Sequence, residues 1–169
     1  LLTLSYCRAY EITNQPFYKN VAEKIAFYIL TEMTSPDGGF YSAQDADSDG
    51  EEGKYYVFTP DEIIRLLGEK DGAAFNTRFG ITPGGNFESK SIPNLLRAKD
   101  LNEERFDKFL PQIRDYRRSR ARLHTDDKIL TAWNSLMIAA FCALYKSSRI
   151  SKYLAAAKKA QQFIEGKLC

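Results

Sequence analysis

The chain has 169 residues, 44% of them hydrophobic, and a formal net charge of +2. Such a chain fits one domain of ordinary size with a real apolar core. The near-neutral balance excludes a global field suited to nucleic acid or an anionic membrane. Cys7, Cys142 and Cys169 lie far apart without a C-x-x-C spacing, which points to reduced intracellular thiols rather than a disulfide framework.

No cationic stretch precedes an apolar core at the N-terminus, as a signal peptide requires. The longest uncharged run, Ile129 to Tyr145, contains Thr131, Asn134 and Ser135 and is too short and polar for a bilayer span. The expectation is a cytoplasmic protein that is neither membrane-bound nor nucleic-acid-binding. The chain opens on LLTLSYCRAY and closes on FIEGKLC in helix-like sequence, so it reads as an internal piece of something larger.

In chain order, residues 2–12 read as an amphipathic helix. Pro16 to Thr34 forms a second, with Pro16 in its first turn and Val21, Ile25, Tyr28, Ile29 and Met33 at helical spacing. The turn formers SPDGG at 35–39 stop it. Aromatic and β-branched residues at 39–45 and 53–59 flank an acidic loop and predict a β-hairpin over 39–59. Thr59, Pro60 and Glu62 form the pattern of a capping box and start a short helix to Leu67. A further helix is predicted over 70–79, irregular chain over 80–96, and a helix over Asn102–Leu123 that Pro111 ends or bends. The strongest helix runs from Asp127 to Ser148 with Leu130, Trp133, Met137, Ala140, Phe141 and Leu144 as one apolar stripe. Its partner runs from Ile150 to Leu168, with Leu154, Ala157, Ala160, Gln161 and Ile164 along one face.

The acidic loop QDADSDGEEG places Asp45, Asp47 and Asp49 alternately before Gly50, as an EF-hand loop begins. Counted from Asp45, however, the twelfth position is Tyr56, so the bidentate Glu of a calcium loop is missing, and strands rather than helices flank it. No metal site is therefore assigned. Solvated turn acids, calcium held in some other geometry and a structured polar site stay open as readings. The run at 114–128 carries Arg114, Arg117, Arg118, Arg120 and Arg122, either a solvated helical face or a set of cations for the acidic loop, through Arg120 or Arg122. Asp126 and Asp127 read as caps of the strong helix or as pocket carboxylates near Trp133 and Asn134. An indole face suits a pyranose ring, with Asp and Asn on its hydroxyls. His124 is the only histidine, which excludes a multi-histidine metal site within the chain. No P-loop, G-x-G-x-x-G or G-x-S-x-G is present, so no cofactor is expected.

Three blocks, SPDGGFYSAQDADSDGEEGKYYVFTPDEI (35–63), GNFESKSIPNLL (85–96) and DDKILTAWNSLMIAA (126–140), occur in this order. Together they resemble the family of thioredoxin-domain-containing proteins that includes spermatogenesis-associated protein 20, and the resemblance covers most of the chain. In that family a thioredoxin-like domain precedes a helical toroid similar to six-hairpin glycosidases and N-acylglucosamine 2-epimerase. The resemblance implies that residues 1–169 form a single, mainly α domain, a fragment of a larger (α/α)6 toroid with a β-hairpin inserted at about 39–59. The family's thioredoxin-like domain and its cysteine motif are absent from the sequence, so no thiol-redox activity carries over. The sequence has Asp49 where Glu is expected and Ser135 where Gly is frequent.

The function implied is carbohydrate-related, a sugar epimerase or glycoside-processing domain with a carboxylate-lined pocket. Asp47 and Asp127 are the candidate catalytic carboxylates, and Tyr41, Asp45, Glu52, Trp133 and Asn134 the candidate substrate-binding residues, with a sugar as ligand. The alternative is a non-catalytic scaffold partnering a thioredoxin-like domain, in which the acidic loop and Arg118, Arg120 or Arg122 form a structural ion-pair lock.

Overall fold

The structure is a computed structural model that describes residues 1–101 and 103–168. It is mainly helical. The helices are α1 (Leu2–Thr13), α2 (Pro16–Glu32), α3 (Pro60–Leu67), α4 (Glu69–Arg78), α5 (Leu110–Arg120), α6 (Thr131–Ser148) and α7 (Ser151–Lys167). Four short strands, β1 (Ala43–Gln44), β2 (Asp47–Ser48), β3 (Glu51–Glu52) and β4 (Thr125–Asp126), make two antiparallel pairs, β1 with β4 and β2 with β3. No helix among the described residues is long and apolar enough to cross a membrane. The chain divides into two compact units, the first made of Leu1–Gln44 with the residues from Thr125 onward, the second of Asp45–His124.

The first unit packs two helical hairpins, α1–α2 and α6–α7, with α1 and α2 both against α6. Each hairpin reverses at a left-handed residue just past the first helix. Asn14 (φ 54°) donates its N–H to Tyr10 O, and Arg149 (φ 60°) donates to Tyr145 O, so orphan carbonyls of the last turn are satisfied. Small buried residues, Ala22, Ala26, Ala157 and Ala160, let the helices approach closely, while Phe40, Phe141 and Tyr153 fill the space between them. Phe141 lies 5.4 Å from Phe40 and 6.0 Å from Tyr153, centroid to centroid. Burying such a side chain stabilises by about 1.5–3 kcal/mol. Of the predicted α7 face, Ala157 and Ala160 are buried, but Gln161 is exposed and Tyr153 takes the inner position.

α6 starts four residues later than the apolar pattern predicts. Residues 125–126 pair instead with β1, in the register Ala43 with Asp126 and Gln44 with Thr125. The Asp126 carboxylate turns to Lys128, accepting from its backbone N–H (3.3 Å) and its Nζ (2.9 Å). The N-cap is Leu130, whose side chain makes no capping bond, so neither aspartate caps the helix. The stripe is consequently buried only in its second half. Ala140, Phe141 and Leu144 are buried, whereas Leu130 and Trp133 are 40% and 55% exposed.

The second unit holds α3 to α5 around Phe58, Ile63, Phe75, Ile81, Phe106 and Ile113. Phe75 is the hub of its aromatic contacts, 4.3 Å from Phe79 and 6.0 Å from Phe106. The helix predicted over 102–123 begins on a residue outside the described ones. It is realised as a 3-10 turn, Glu104–Phe109, that passes into α5. Pro111 falls in the first turn of α5, where its missing N–H would have had no partner anyway. The segment 80–96 is irregular, as expected.

The hairpin expected over 39–59 survives only at its tip. Asp47–Ser48 pairs with Glu51–Glu52 across Asp49 (φ 56°) and Gly50 (φ 78°), the two left-handed positions of a tight hairpin turn. Residues 53–58 curl rather than extend: Gly53 has φ 70°, and the N–H groups of Tyr56 and Val57 both reach its carbonyl, at 2.7 and 3.2 Å. The curl lets Tyr55, Val57 and Phe58 all be buried, which strict alternation in a strand would forbid.

Candidate functional site

The second unit contains a charged cleft of about 320 Å³ lined by Glu51, Lys54, Thr59, Glu62, Arg65, Lys90 and Arg120. Its construction starts from the capping box that the sequence announces. Thr59 Oγ1 accepts from Glu62 N–H (3.4 Å), and Glu62 Oε2 accepts from Thr59 N–H (2.7 Å). The box fixes the Glu62 side chain, leaving Oε1 to accept from Tyr116 Oη (2.8 Å) and Arg120 Nη1 (3.1 Å) on α5. Arg120 Nη2 in turn donates to the carbonyls of Lys54 (2.9 Å), Tyr55 (3.3 Å) and Val57 (2.7 Å). Its guanidinium also lies over Phe58, 4.8 Å from the ring centre. One arginine thus ties the curl at 53–58 to the start of α3 and the end of α5.

The electrostatics follow from these bonds. For Glu62 the largest single influence is burial, which pushes its carboxyl up. The donors from Thr59 and Tyr116, with the Arg120 charge, together outweigh it and hold the carboxyl below its ordinary value. Burial, then the bond to Glu62, pushes the Tyr116 phenol up. The Lys90 ammonium, 2.6 Å from Glu51 Oε1, holds that carboxyl down as well. Arg65 makes no ion pair among the described residues and leaves a cationic edge on the cleft.

Two acids of the loop pair with lysines, Asp49 with Lys54 (2.7 Å) and Glu51 with Lys90. Asp45 accepts from Asp47 N–H (3.1 Å) in a local turn, and Asp47 faces Glu52 as a register partner, all three exposed. Arg122 offers its carbonyl, which accepts from Ser48 Oγ (3.1 Å). His124 is exposed and likewise uses its carbonyl, accepting from Asp45 N–H (2.8 Å). Among the described residues no three His, Cys, Asp or Glu side chains gather so as to hold a metal ion.

The other expected pocket residues belong to the first unit. Asn134 is 1% exposed and clamps the backbone of Phe40: its Oδ1 accepts from Phe40 N–H (2.7 Å) and its Nδ2 donates to Phe40 O (3.0 Å) and Leu130 O (3.1 Å). Its carboxamide is occupied by the fold. The clamp fixes the loop that carries Tyr41, which is half-buried. Trp133, one residue before the clamp, and Asp127 are both exposed. Ser135 is exposed too, and donates to Thr131 O (2.9 Å).

Sequence reasoning placed Glu62 as a cap but missed its second oxygen, and it missed Arg65, Lys90 and Tyr116 entirely. The capping box was the usable signal; charges far apart in the chain give none. No family model matches the chain. It is similar to spermatogenesis-associated protein 20 of Mus musculus, with 29% identity over 200 aligned positions covering 97% of this chain and 25% of that protein. The Homo sapiens protein of that name is 30% identical over 176 positions, 83% of this chain and 22% of its own length. The Rattus norvegicus one is 28% identical over 200 positions, 97% and 25% respectively. The chain spans about a quarter of the length of these curated relatives.

Proposed function

We propose that the chain is a carbohydrate-related helical domain, one section of a larger (α/α) toroid in a cytoplasmic protein that also carries a thioredoxin-like domain. The pairing of α1 with α2 and of α6 with α7 as consecutive hairpins supports the toroid reading. The observation that carries the sugar reading is Trp133. Its indole is 55% exposed at the start of α6, on a stripe whose later members are buried. Asp127 is exposed shortly before it, and the Phe40–Asn134 clamp holds the loop of Tyr41 rigid. An exposed indole face suits stacking on a sugar ring, and carboxylate and phenol groups suit its hydroxyls. In this reading Asp127 is the acid/base candidate beside Trp133, while the other expected carboxylates, Asp45, Asp47 and Glu52, belong to the second unit.

Trp133 is the only tryptophan, so its fluorescence reports the site directly. Titration of the chain with glucose, N-acetylglucosamine and cellobiose is expected to give a saturable change that Asp127→Ala and Tyr41→Ala weaken. A flat response to all of these sugars would overturn the reading. A second reading, a scaffold for the thioredoxin-like domain, is favoured by the Glu62–Arg120 network, in which both carboxylate oxygens of Glu62 already accept from the fold, the build of a structural lock rather than a reactive acid. It expects no sugar response and full retention of binding to an isolated thioredoxin-like domain by Asp47→Ala and Asp127→Ala variants.

A further inference from the structure

A second cleft of the Asp45–His124 unit, about 430 Å³, is lined by Arg78, Arg97, Lys99 and Arg105, against which stand only Asp100 and Glu103. Arg78 is its unusual member. On the last turn of α4, its side chain is only 6% exposed, yet its nearest carboxylate oxygen, Glu103 Oε2, is 3.7 Å away. Its Nε is buried with no hydrogen-bond partner. Glu103 is moreover shared, because its other oxygen is taken by Arg105 Nε. Arg97 and Lys99 are exposed and make no ion pair among the described residues. A guanidinium cannot shed its charge, and burying one without a full complement of acceptors is costly. The cleft therefore holds more cation than its own carboxylates satisfy, around a buried fork with a free donor.

An adjoining cleft of about 550 Å³ shares Thr77 and Arg97 and is lined by Asn76, Asn86 and Asn94. It is uncharged apart from Arg97, and Asn76, 7% exposed, also has a buried Oδ1 without a partner. Neutral amides and hydroxyls beside a cationic cup suit a polar molecule with one anionic group.

We propose that Arg78, Arg97, Lys99 and Arg105 bind the phosphoryl group of a small organic phosphate whose uncharged, hydroxyl-rich body lies in the adjoining cleft, on the side of the partnerless Asn76 Oδ1. Arginine forks match tetrahedral oxyanions by paired, charge-assisted hydrogen bonds, and Lys99 adds a point charge. The proposal does not rest on the Trp133 sugar reading.

The test is calorimetric titration of the full chain at low salt with inorganic phosphate, glucose 6-phosphate and glucose. Saturable binding of both phosphates is expected, tighter for glucose 6-phosphate, and none for glucose. Arg97→Gln with Lys99→Gln, both surface positions, is expected to lower affinity at least about tenfold, while Lys158→Gln with Lys167→Gln on α7, the same charge change, leaves it intact. Arg78→Met is expected to abolish binding where circular dichroism shows it folded; the Arg97/Lys99 pair decides the matter if it is not. Absence of saturable phosphate binding, or equal loss in the α7 control, overturns the proposal. Binding of phosphate with no gain from the glucose moiety overturns the role of the asparagine cleft.

Discussion

Arg120 Nη1 stands 3.1 Å from Glu62 Oε1 across a separation of 58 residues, with both side chains less than one-fifth exposed. The pair is therefore no surface salt bridge: both oxygens of Glu62 and both Nη groups of Arg120 are engaged by the fold.

Removing the arginine strands the most groups. Arg120→Met leaves the Glu62 carboxylate short of its counter-charge and three carbonyls short of a donor. Breaking one side of such a pair costs about 3–5 kcal/mol, so the urea midpoint should fall well below that of Arg122→Met, whose side chain is exposed. Equal midpoints for the two variants would refute the network.

Acid should act through the same residue. The carboxyl of Glu62 lies below its ordinary value in the folded chain. Its contribution is thus full above the unfolded-state pKa and is lost as pH falls through the folded one, because the unfolded chain binds the proton first. Urea unfolding from about pH 6 down to about pH 2 should therefore show a steeper loss for the wild type than for Glu62→Gln. Glu51 and Asp126, also held low, remain in both proteins, so only the difference between the curves tests Glu62. Parallel curves would count against the assignment.

Asn134 offers a sharper isosteric comparison. Asn134→Asp keeps an acceptor for Phe40 N–H but loses the donor to Phe40 O and Leu130 O, whereas Asn134→Leu loses both functions. At about 1–3 kcal/mol for each buried group left unpaired, both variants should melt earlier, with backbone amide exchange at Phe40 accelerated. Unchanged exchange at Phe40 would show that the clamp is incidental.

Two glycines with positive φ should behave differently. A Cβ on Gly85 (φ +67°) would sit 2.2 Å from Lys90 O, a backbone atom that cannot step aside. One on Gly50 (φ +78°) meets nothing within 4 Å. Gly50→Ala should cost only the left-handed backbone penalty of about 1–2 kcal/mol, and Gly85→Ala distinctly more, through overpacking. Thermal melts of the two variants compare them directly, and equal losses would contradict the close approach at Gly85.

Much of the helical order was legible because its signals are local. Pro16, the Thr59–Glu62 box and the α6–α7 pattern each announce themselves within one or two turns. What escaped was decided at a distance. The aromatic run at 53–58 has strand composition, but three buried side chains and Gly53 pull it into a curl. Asp127 looked like a helix start because nothing nearby reveals that 125–126 will pair with 43–44. Asn134 looked like a ligand-binding amide because its true partner, Phe40, lies 94 residues away. At the candidate sites, the acidic loop was found from composition, but its lysine partners and the buried Arg78 were not, since periodicity says nothing about which charges meet.

The β1–β4 register sets Gln44 opposite Thr125, so the chain departs and returns at neighbouring points of one ladder. Topologically, residues 45–124 are a guest in a loop of the helical bundle that hosts them. Loop-closure entropy rises only by about 0.6 kcal/mol for each doubling of length, so the host is nearly indifferent to how large its guest is. Joining Gln44 to Thr125 by a short turn would bring the partners of the ladder and of the Phe40–Asn134 clamp much closer together along the chain, and a bundle so shortened should fold faster. The same doorway would accept a different guest, which makes it the natural place to graft a foreign module onto this scaffold.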